Sequence, residues 1–494
     1  YTKRHTGTMN RITAYAVFLL LVASAASASE RALVPLWWPL AEVSNDYQLL
    51  CQRRLRGMLD PGWLIDPLSP PDAMRSAPDD ALDPLHRSQI YFSIAQADFL
   101  EGEAVSAAAN LRASRKLIEQ RGDGFSLDLI PILTAQARLD MENGAYSRAI
   151  DTLQRARAIF RRANGLNEAC QGLWLEAEAE AHAAAGDLMA ADGAQLQSHR
   201  LRRHPDIDQH QLQVDALIDM ADWQRELHAA LPPEQRAGLA CLIASGFSPG
   251  IGEPRRCHHP GMRELYKRAV RLLEDNEGKD SLGLVEPLRG LAISYLYGTV
   301  HWKRYGDRIG FHGPYYRGRR MLERALTIAE KAEFGADDRT LATILVDLGD
   351  WHSIYDHGPK RARNYYRRAW TLMKQDIPDD EVPGAFENPV RLLYLPAGFQ
   401  KPQARGQISD SGPMLPGWAR VEFTVTAEGR ATDIEVIENN PPYWTRHNRD
   451  IERSMATSRF RPAWRNGEPV PVRAEILYRF RYPAPSENIS ADSG

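Results

Sequence analysis

Residues 135–156 read AQARLDMENGAYSRAIDTLQRA. Within them Gly144, Tyr146, Ala149, Ile150, Leu153 and Ala156 fall at relative positions 0, 2, 5, 6, 9 and 12. Steps of three, four and seven place those side chains on one face of a helix. The glycine opens an interhelix turn, the aromatic starts the second helix, and small alanines seven apart let neighbouring helices approach closely. The stretch is therefore the turn and second arm of a helical hairpin.

The same ladder recurs outward from this unit. Gly102, Ala104, Ala107 and Leu111 repeat it upstream, and Gly186, Leu188 and Ala191 downstream. Gly313, Tyr315, Leu322, Ala325 and Leu326 fit further on, with Gly318 where the middle alanine belongs. Ala362, Tyr366 and Ala369 form another unit after Leu348-Gly349. Gly144 through Ala156 resembles the tetratricopeptide pattern, and in the later units the repeat is longer. The organisation expected is a helical block over 86–230, a Gly/Pro-rich loop over 231–260 and a second helical block over 261–376. An irregular Pro-rich lead-in occupies 29–85, and 377–395 reads as a linker.

The last hundred residues change period from helical to two. Val421, Phe423 and Val425 alternate, Glu428-Gly429 makes a turn, and Ile434 and Val436 follow. Asp450–Phe460 reads as a short helix, with Ile451 and Met455 four apart. Val472, Ala474, Ile476, Tyr478, Phe480 and Tyr482 then line one face of a long final strand, with Arg473, Glu475, Arg479 and Arg481 on the other. The expected fold is thus an α+β multidomain chain: a tetratricopeptide-like α-helical array, then a small β-β-α-β domain over 396–483, then a tail over 484–494.

Val421, Phe423, Val425 and Gly429, then Arg459-Phe460 with Pro462, then Gly467 with Pro469-Val470, and Phe480 near the end, resemble the TonB C-terminal domain family. What the resemblance implies is a periplasmic domain of a Gram-negative envelope protein that pairs a partner's extended segment onto a sheet edge. Arg473, Glu475, Ile476, Tyr478, Arg479 and Phe480 are accordingly the candidate partner-binding residues. The implied partner is protein, with an outer-membrane receptor segment as the leading candidate and a homodimer through the same strand as its competitor. Energy transducers of that family also carry an uncleaved membrane anchor and a long Pro-rich spacer; here a helical array stands in the spacer's place.

Residues 1–28 fit an export signal. Met9 precedes Arg11, Ile12–Ala23 is an apolar run, and Ala26-Ser27-Ala28 offers a cleavage site before Ser29. A spanning helix wants about 20 apolar residues, so a cleaved leader and a periplasmic address are the expectation. A membrane anchor coupled to an inner-membrane motor is the alternative. Four cysteines then remain: Cys51, Cys170, Cys241 and Cys257. Cys241 and Cys257 flank the Gly/Pro loop and form the candidate disulfide, whereas Cys170, in a helical pattern, reads as a buried thiol.

No stretch argues for catalysis, and the expectation is a non-enzyme without cofactor or metal. Lys+Arg 61 against Asp+Glu 64 leaves a net charge of −3, which gives no general reason to expect nucleic-acid binding. Gly246-Phe247-Ser248-Pro249-Gly250 has the spacing of a nucleophile elbow, but Pro249 lacks the N–H that an oxyanion hole needs. His204, Asp206, Asp208 and His210, and separately Cys257-His258-His259, cluster without a recognised zinc spacing. His301, His312, His352 and His357 read as packing residues of aromatic-rich helices.

Overall fold

The computed structural model describes most of residues 81–230, 261–393 and 414–483, together with Cys51, Arg54, Leu55, Met58, Leu59 and Trp63. The Gly/Pro loop with Cys241, Ser248 and Cys257, and the segments carrying His204 and His357, lie outside the described residues. The chain divides into two compact units, Tyr1–Gln235 and Arg236–Gly494.

The first unit is a run of antiparallel helical hairpins: α1 (Pro84–Leu100) with α2 (Ala104–Arg121), α3 (Leu129–Glu142) with α4 (Tyr146–Asn164), α5 (Gly172–Ala184) with α6 (Leu188–Arg202), and then α7 (His210–Ala230). Gly102, Gly144 and Gly186 sit at the three hairpin turns with φ of 83°, 71° and 87°. They are 42 residues apart, and each turn closes with the same bonds. The residue after the glycine donates to a carbonyl five positions back: Glu103 to Asp98 at 2.8 Å, Ala145 to Asp140 at 2.7 Å, Asp187 to His182 at 2.9 Å. Such a left-handed turn satisfies the carbonyls a helix end leaves open, and glycine adopts it without a Cβ penalty.

Helix α5 is enclosed along nearly its whole length, which explains its alanines. It also buries two carboxylates. Glu176 meets Arg202 of α6 at 2.9 Å and accepts from Ser198 at 2.6 Å, and Arg202 also reaches Asp219 of α7 at 2.6 Å. Glu178 points the other way, to Arg157 of α4 at 2.8 Å. Burial lifts the Glu178 carboxyl above the usual range, and Arg157 only partly offsets it. The N-terminal residues pack against this unit as well. Trp63 donates to Asp128 at 2.7 Å and meets the Phe92 ring edge-on, with centroids 5.5 Å apart.

Cys170 is not a thiol: it forms a disulfide with Cys51, 119 residues away. Its place in a short 3-10 turn before α5, rather than inside a regular helix, leaves its side chain free to meet the lead-in. Sequence spacing favoured Cys241 with Cys257 because those two are near neighbours along the chain; proximity of Cys51 to Cys170 exists only after folding.

The second unit continues with α8 (Met262–Glu277), α9 (Val285–Tyr297), a hairpin of β1 (His301–Tyr305) and β2 (Arg308–His312), α10 (Tyr315–Lys331), α11 (Asp338–Tyr355) and α12 (Pro359–Lys374). His301 and His312, expected in helices, are opposite one another in this hairpin. His352 is buried in α11 and stacks on Tyr365, centroids 5.4 Å apart. Three helix–helix contacts share one device. A Cβ on Gly290 would come within 2.2 Å of the Tyr266 ring, on Gly318 within 2.1 Å of Trp351, and on Gly349 within 2.3 Å of Tyr366. Gly318 replaces the expected alanine because an indole fills the alanine's place.

The residues read as a linker instead form α13 (Gly384–Glu387) and β3 (Val390–Leu393), and β3 pairs with β6 (Arg459–Arg461). Around them the C-terminal region adds β4 (Met414–Val425), β5 (Ala431–Asn440), α14 (Asn448–Thr457), β7 (Ala463–Arg465), β8 (Glu468–Val470) and β9 (Val472–Pro483). The expected β-β-α-β order is present, with three short strands between helix and final strand. One face of the sheet joins α14 in a core of Val421, Phe423, Val425, Ile451, Met455, Phe460 and Tyr478.

Strand β6 has two insides. Phe460 enters the sheet core, centroid 5.3 Å from Phe423. Arg461 turns the other way into α11, where its Nε and Nη2 bond the two oxygens of Asp350 at 2.8 and 2.6 Å, and its Nη1 donates to the Ala385 carbonyl at 2.9 Å. Burial works against the Arg461 charge, but the bonds to Asp350 outweigh it and hold the guanidinium above its usual range. Beside it Trp464, fully buried, packs among Tyr366, Trp370 and Phe386 with centroids 5.5–6.2 Å apart. The last hairpin of the array, α11 with α12, is thus closed by the C-terminal region, and residues 396–483 do not hold all of their own core.

These contacts set three expectations for chemical denaturation of the full chain. Cys170→Ser should cost the first unit about 4–5 kcal/mol, the loop-closure effect for a loop of this length. Asp350→Ala should cost the second unit about 3–5 kcal/mol, because it strands a buried guanidinium, while replacing Asp350 and Arg461 together with apolar residues should cost far less. Gly349→Ala should destabilise by about 1–3 kcal/mol through overpacking against Tyr366, despite alanine's better helix propensity.

Candidate partner-binding surface

The sheet order is β5-β4-β9. Strand β4 is central and pairs along its whole length with β9, from Val425 opposite Val472 to Met414 opposite Pro483. Strand β5 pairs with the other side of β4, with register shifts at Arg420/Val421 and Glu422/Thr424. Asp433, at φ 48°, lies beside the second shift and absorbs the extra residue. Strand β9 therefore has β4 on one side and, among the described residues, no strand on the other. Its outer edge is 12 residues of main chain with alternate N–H and C=O groups directed away from the sheet.

The six candidate residues separate by face. Arg473 and Glu475 lie on the outer face and are exposed. Arg473 pairs with Glu422, and Glu475 lies 3.5 Å from Arg420, which also reaches Glu438 at 2.6 Å. Arg420 thereby ties the three strands together across the outer face. Ile476 and Tyr478 point the other way: Tyr478 is buried in the core shared with α14, and Ile476 packs against it. Their side chains pack into the sheet's core, since period-two alternation assigns them to the face that α14 covers. Arg479 and Phe480 are paired through their backbone with Trp418 and Gly417; their side chains lie outside the described residues.

Leu477, 49% exposed, is the apolar side chain on the outer face of β9 that sequence reading passed over. It sits opposite Arg420, among charges. The signal was present as an apolar residue out of phase with the alternation. The edge can recognise an extended segment through main-chain hydrogen bonds, with Arg473, Glu475 and Leu477 as side-chain contacts. Where the sheet meets the array lies a shallow depression lined by Pro359, Tyr366, Pro462, Trp464 and Pro469. Arg363 and Glu428 face each other there at 3.7 Å.

Among the described residues, no group of three or more His, Cys, Asp or Glu side chains is arranged to hold a metal ion. His210, at the start of α7, is the described member of its sequence cluster. No helix among the described residues is long and apolar enough to cross a membrane.

No family model matches this chain, and no curated protein does. Solved structures are similar to its helical part. BtubC (BKLC) from P. vanneervenii is 14% identical, over 56% of this chain and 89% of that one, with a TM-score of 0.35. A Podosopora anserina putative kinesin light chain with nearly identical TPR-like repeats is 13% identical, over 51% and 98%, with a TM-score of 0.34. A Rap protein complexed with competence and sporulation factor is 11% identical, over 74% and 81%, with a TM-score of 0.31.

Proposed function

We propose that this chain is a non-enzymatic scaffold of a Gram-negative envelope, exported to the periplasm, that joins protein partners through its helical hairpins and its C-terminal sheet. The observation that carries the reading is the open edge of β9. Over 12 residues, and among the described residues, the strand is paired on one side only. A segment added there gains main-chain hydrogen bonds worth about 0.5–1.5 kcal/mol each, which is the energetic basis of strand addition. The TonB-type pattern of Arg459-Phe460, Pro462, Gly467 and Pro469-Val470 supports an outer-membrane receptor segment as the partner, and with it a link to receptor-dependent transport.

The Cys51–Cys170 disulfide supports export, because such bonds persist in oxidising compartments. The leader pattern from Met9 to Ala28 supports the same address. The chain would then mature at Ser29 and work free of the membrane core.

Hydrogen exchange on the full chain tests the edge. Extended peptides from the periplasmic ends of outer-membrane receptors should slow exchange of amides within 472–483 and leave α14 unchanged. Because the main chain supplies the affinity, Arg473→Ala and Glu475→Ala should each weaken binding by no more than about fivefold, within the range of exposed ion pairs. Protection confined to α14, or none with peptide in excess, removes the strand-addition reading.

A further inference from the structure

Three helices at the end of the first unit share one guanidinium. A single nitrogen of Arg202 on α6, Nη1, donates to two carboxylates: Glu176 Oε1 of α5 at 2.9 Å and Asp219 Oδ2 of α7 at 2.6 Å. Glu176 Oε1 takes a second bond, from Ser198 at 2.6 Å, while its Oε2 is buried with no hydrogen-bond partner. Two acids that meet on one nitrogen are close neighbours, and one positive charge cannot balance both. Asp215 of α7 adds a further negative charge nearby.

The other titratable groups at this seam do not supply the missing charge directly. His199 of α6 is occupied at Nδ1 by the Ala216 carbonyl of α7, at 2.8 Å. Asp192 of α6 accepts from Trp223 of α7 at 3.1 Å, and Asp222 of α7 pairs with Arg225 at 2.9 Å. Glu180 lies one turn beyond Glu176 on the same face of α5. A buried carboxylate without a matching cation is relieved most readily by a proton. One proton leaves Glu176, Arg202 and Asp219 neutral together, and two acids this close take it as a pair.

Water reaches the cluster from one side. The Asp219 side chain is 31% exposed, against 5% for Glu176 and 1% for Arg202. Loss of solvent nevertheless lifts the Asp219 carboxyl to about 7; Arg202 pulls it down, and Glu176 and Asp215 push it up. Helix α7 buries Leu212, Val214, Leu217 and Met220 as it docks, and its Trp223 packs on Leu175 and Ala179 of α5 and Ala191 and Ala194 of α6.

We infer that the Glu176–Arg202–Asp219 cluster is a proton-operated latch: α7 takes up one proton as it docks on α5 and α6, stays closed in acid and loosens as the solution turns neutral. Undocked, Asp219 returns to an ordinary value of about 4, so the docked state holds a proton that the undocked state has lost. Docking therefore weakens as pH rises from about 4 to about 7 and is constant above. Carboxylates stabilised by their partners act in the opposite sense, losing their contribution as pH falls. Loosening uncovers Leu175, Ala179 and Ala194, so the latch gates one end of the hairpin array, whatever the β9 edge binds.

Hydrogen exchange on the full chain, corrected for the chemical exchange rate at each pH, tests the latch. One linked proton shifts an equilibrium by up to about tenfold per pH unit, so opening of α7 should rise by about tenfold to a hundredfold between pH 5 and 7. Helix α1, at the other end of the unit, should stay flat. Asp219→Asn and Glu176→Gln should each flatten the response of α7. Asp192→Ala, which removes the acceptor for Trp223, should raise opening at every pH and leave the response in place; His199→Gln should also keep it. A flat response in the parent chain, one of opposite sign, one that survives either acid variant, or one lost in Asp192→Ala or His199→Gln overturns the proposal.

Discussion

The second unit is organised around the fork between Arg461 and Asp350. A strand alternates its side chains between two faces, and β6 uses both. Phe460 completes the core beneath the sheet, while Arg461 crosses into the last helical hairpin. Trp464 extends the same seam into the Tyr366, Trp370 and Phe386 cluster. Tyr366 is held in turn by Asp350 at 2.9 Å and Ser353 at 3.0 Å, and its ring occupies the space that Gly349 leaves. A helical array ends with an apolar face that must be covered. Here strands and a one-turn helix provide the cover, and the buried ion pair fixes their register against α11.

Buried charge plays a comparable part in the first unit. Glu176 and Glu178, two residues apart on α5, point to opposite neighbours and find Arg202 on α6 and Arg157 on α4. Alanine-rich helices are nearly featureless and would pack in more than one order. Pairs of this kind add little net stability, because desolvation offsets attraction. A misordered packing would instead leave a carboxylate buried without its arginine, so the pairs select one arrangement among many of similar apolar burial.

What could be read from the sequence was whatever repeats locally. The glycine-aromatic-alanine ladder around Gly144 gives the hairpins, and the alternation of Val421, Phe423 and Val425 against Ile476 and Tyr478 gives the sheet. Contacts between distant residues left no such trace. Arg461 and Asp350 are 111 positions apart, and nothing in Arg459-Phe460-Arg461-Pro462 says that one arginine faces another domain. Cys51 and Cys170 are 119 apart, with the first inside a stretch whose prolines suggested irregular structure. The linker reading of 377–395 failed for a related reason: Phe386 and β3 belong to a core supplied mostly by other segments. For the candidate surface, the strand and its two faces were legible. Ile476 and Tyr478 were counted among the partner-binding residues although their phase in the alternation puts them on the face that α14 covers, and the open side of β9 depends on strand order, which pattern does not encode.

Strand order also separates holding the array from meeting a partner. Because β4 is central, the sheet's covered face belongs to α14 and its outer face to the Arg420 ion pairs, while β6 and β7 are committed to closing the array. The main chain of β9 is what remains. Its outward residues include Arg473 and Glu475, charges of the kind that discourage indiscriminate edge-to-edge pairing. Both are engaged within the sheet, Arg473 by Glu422 and Glu475 by Arg420. A second strand added at this edge would therefore meet those paired charges and Leu477 beyond them.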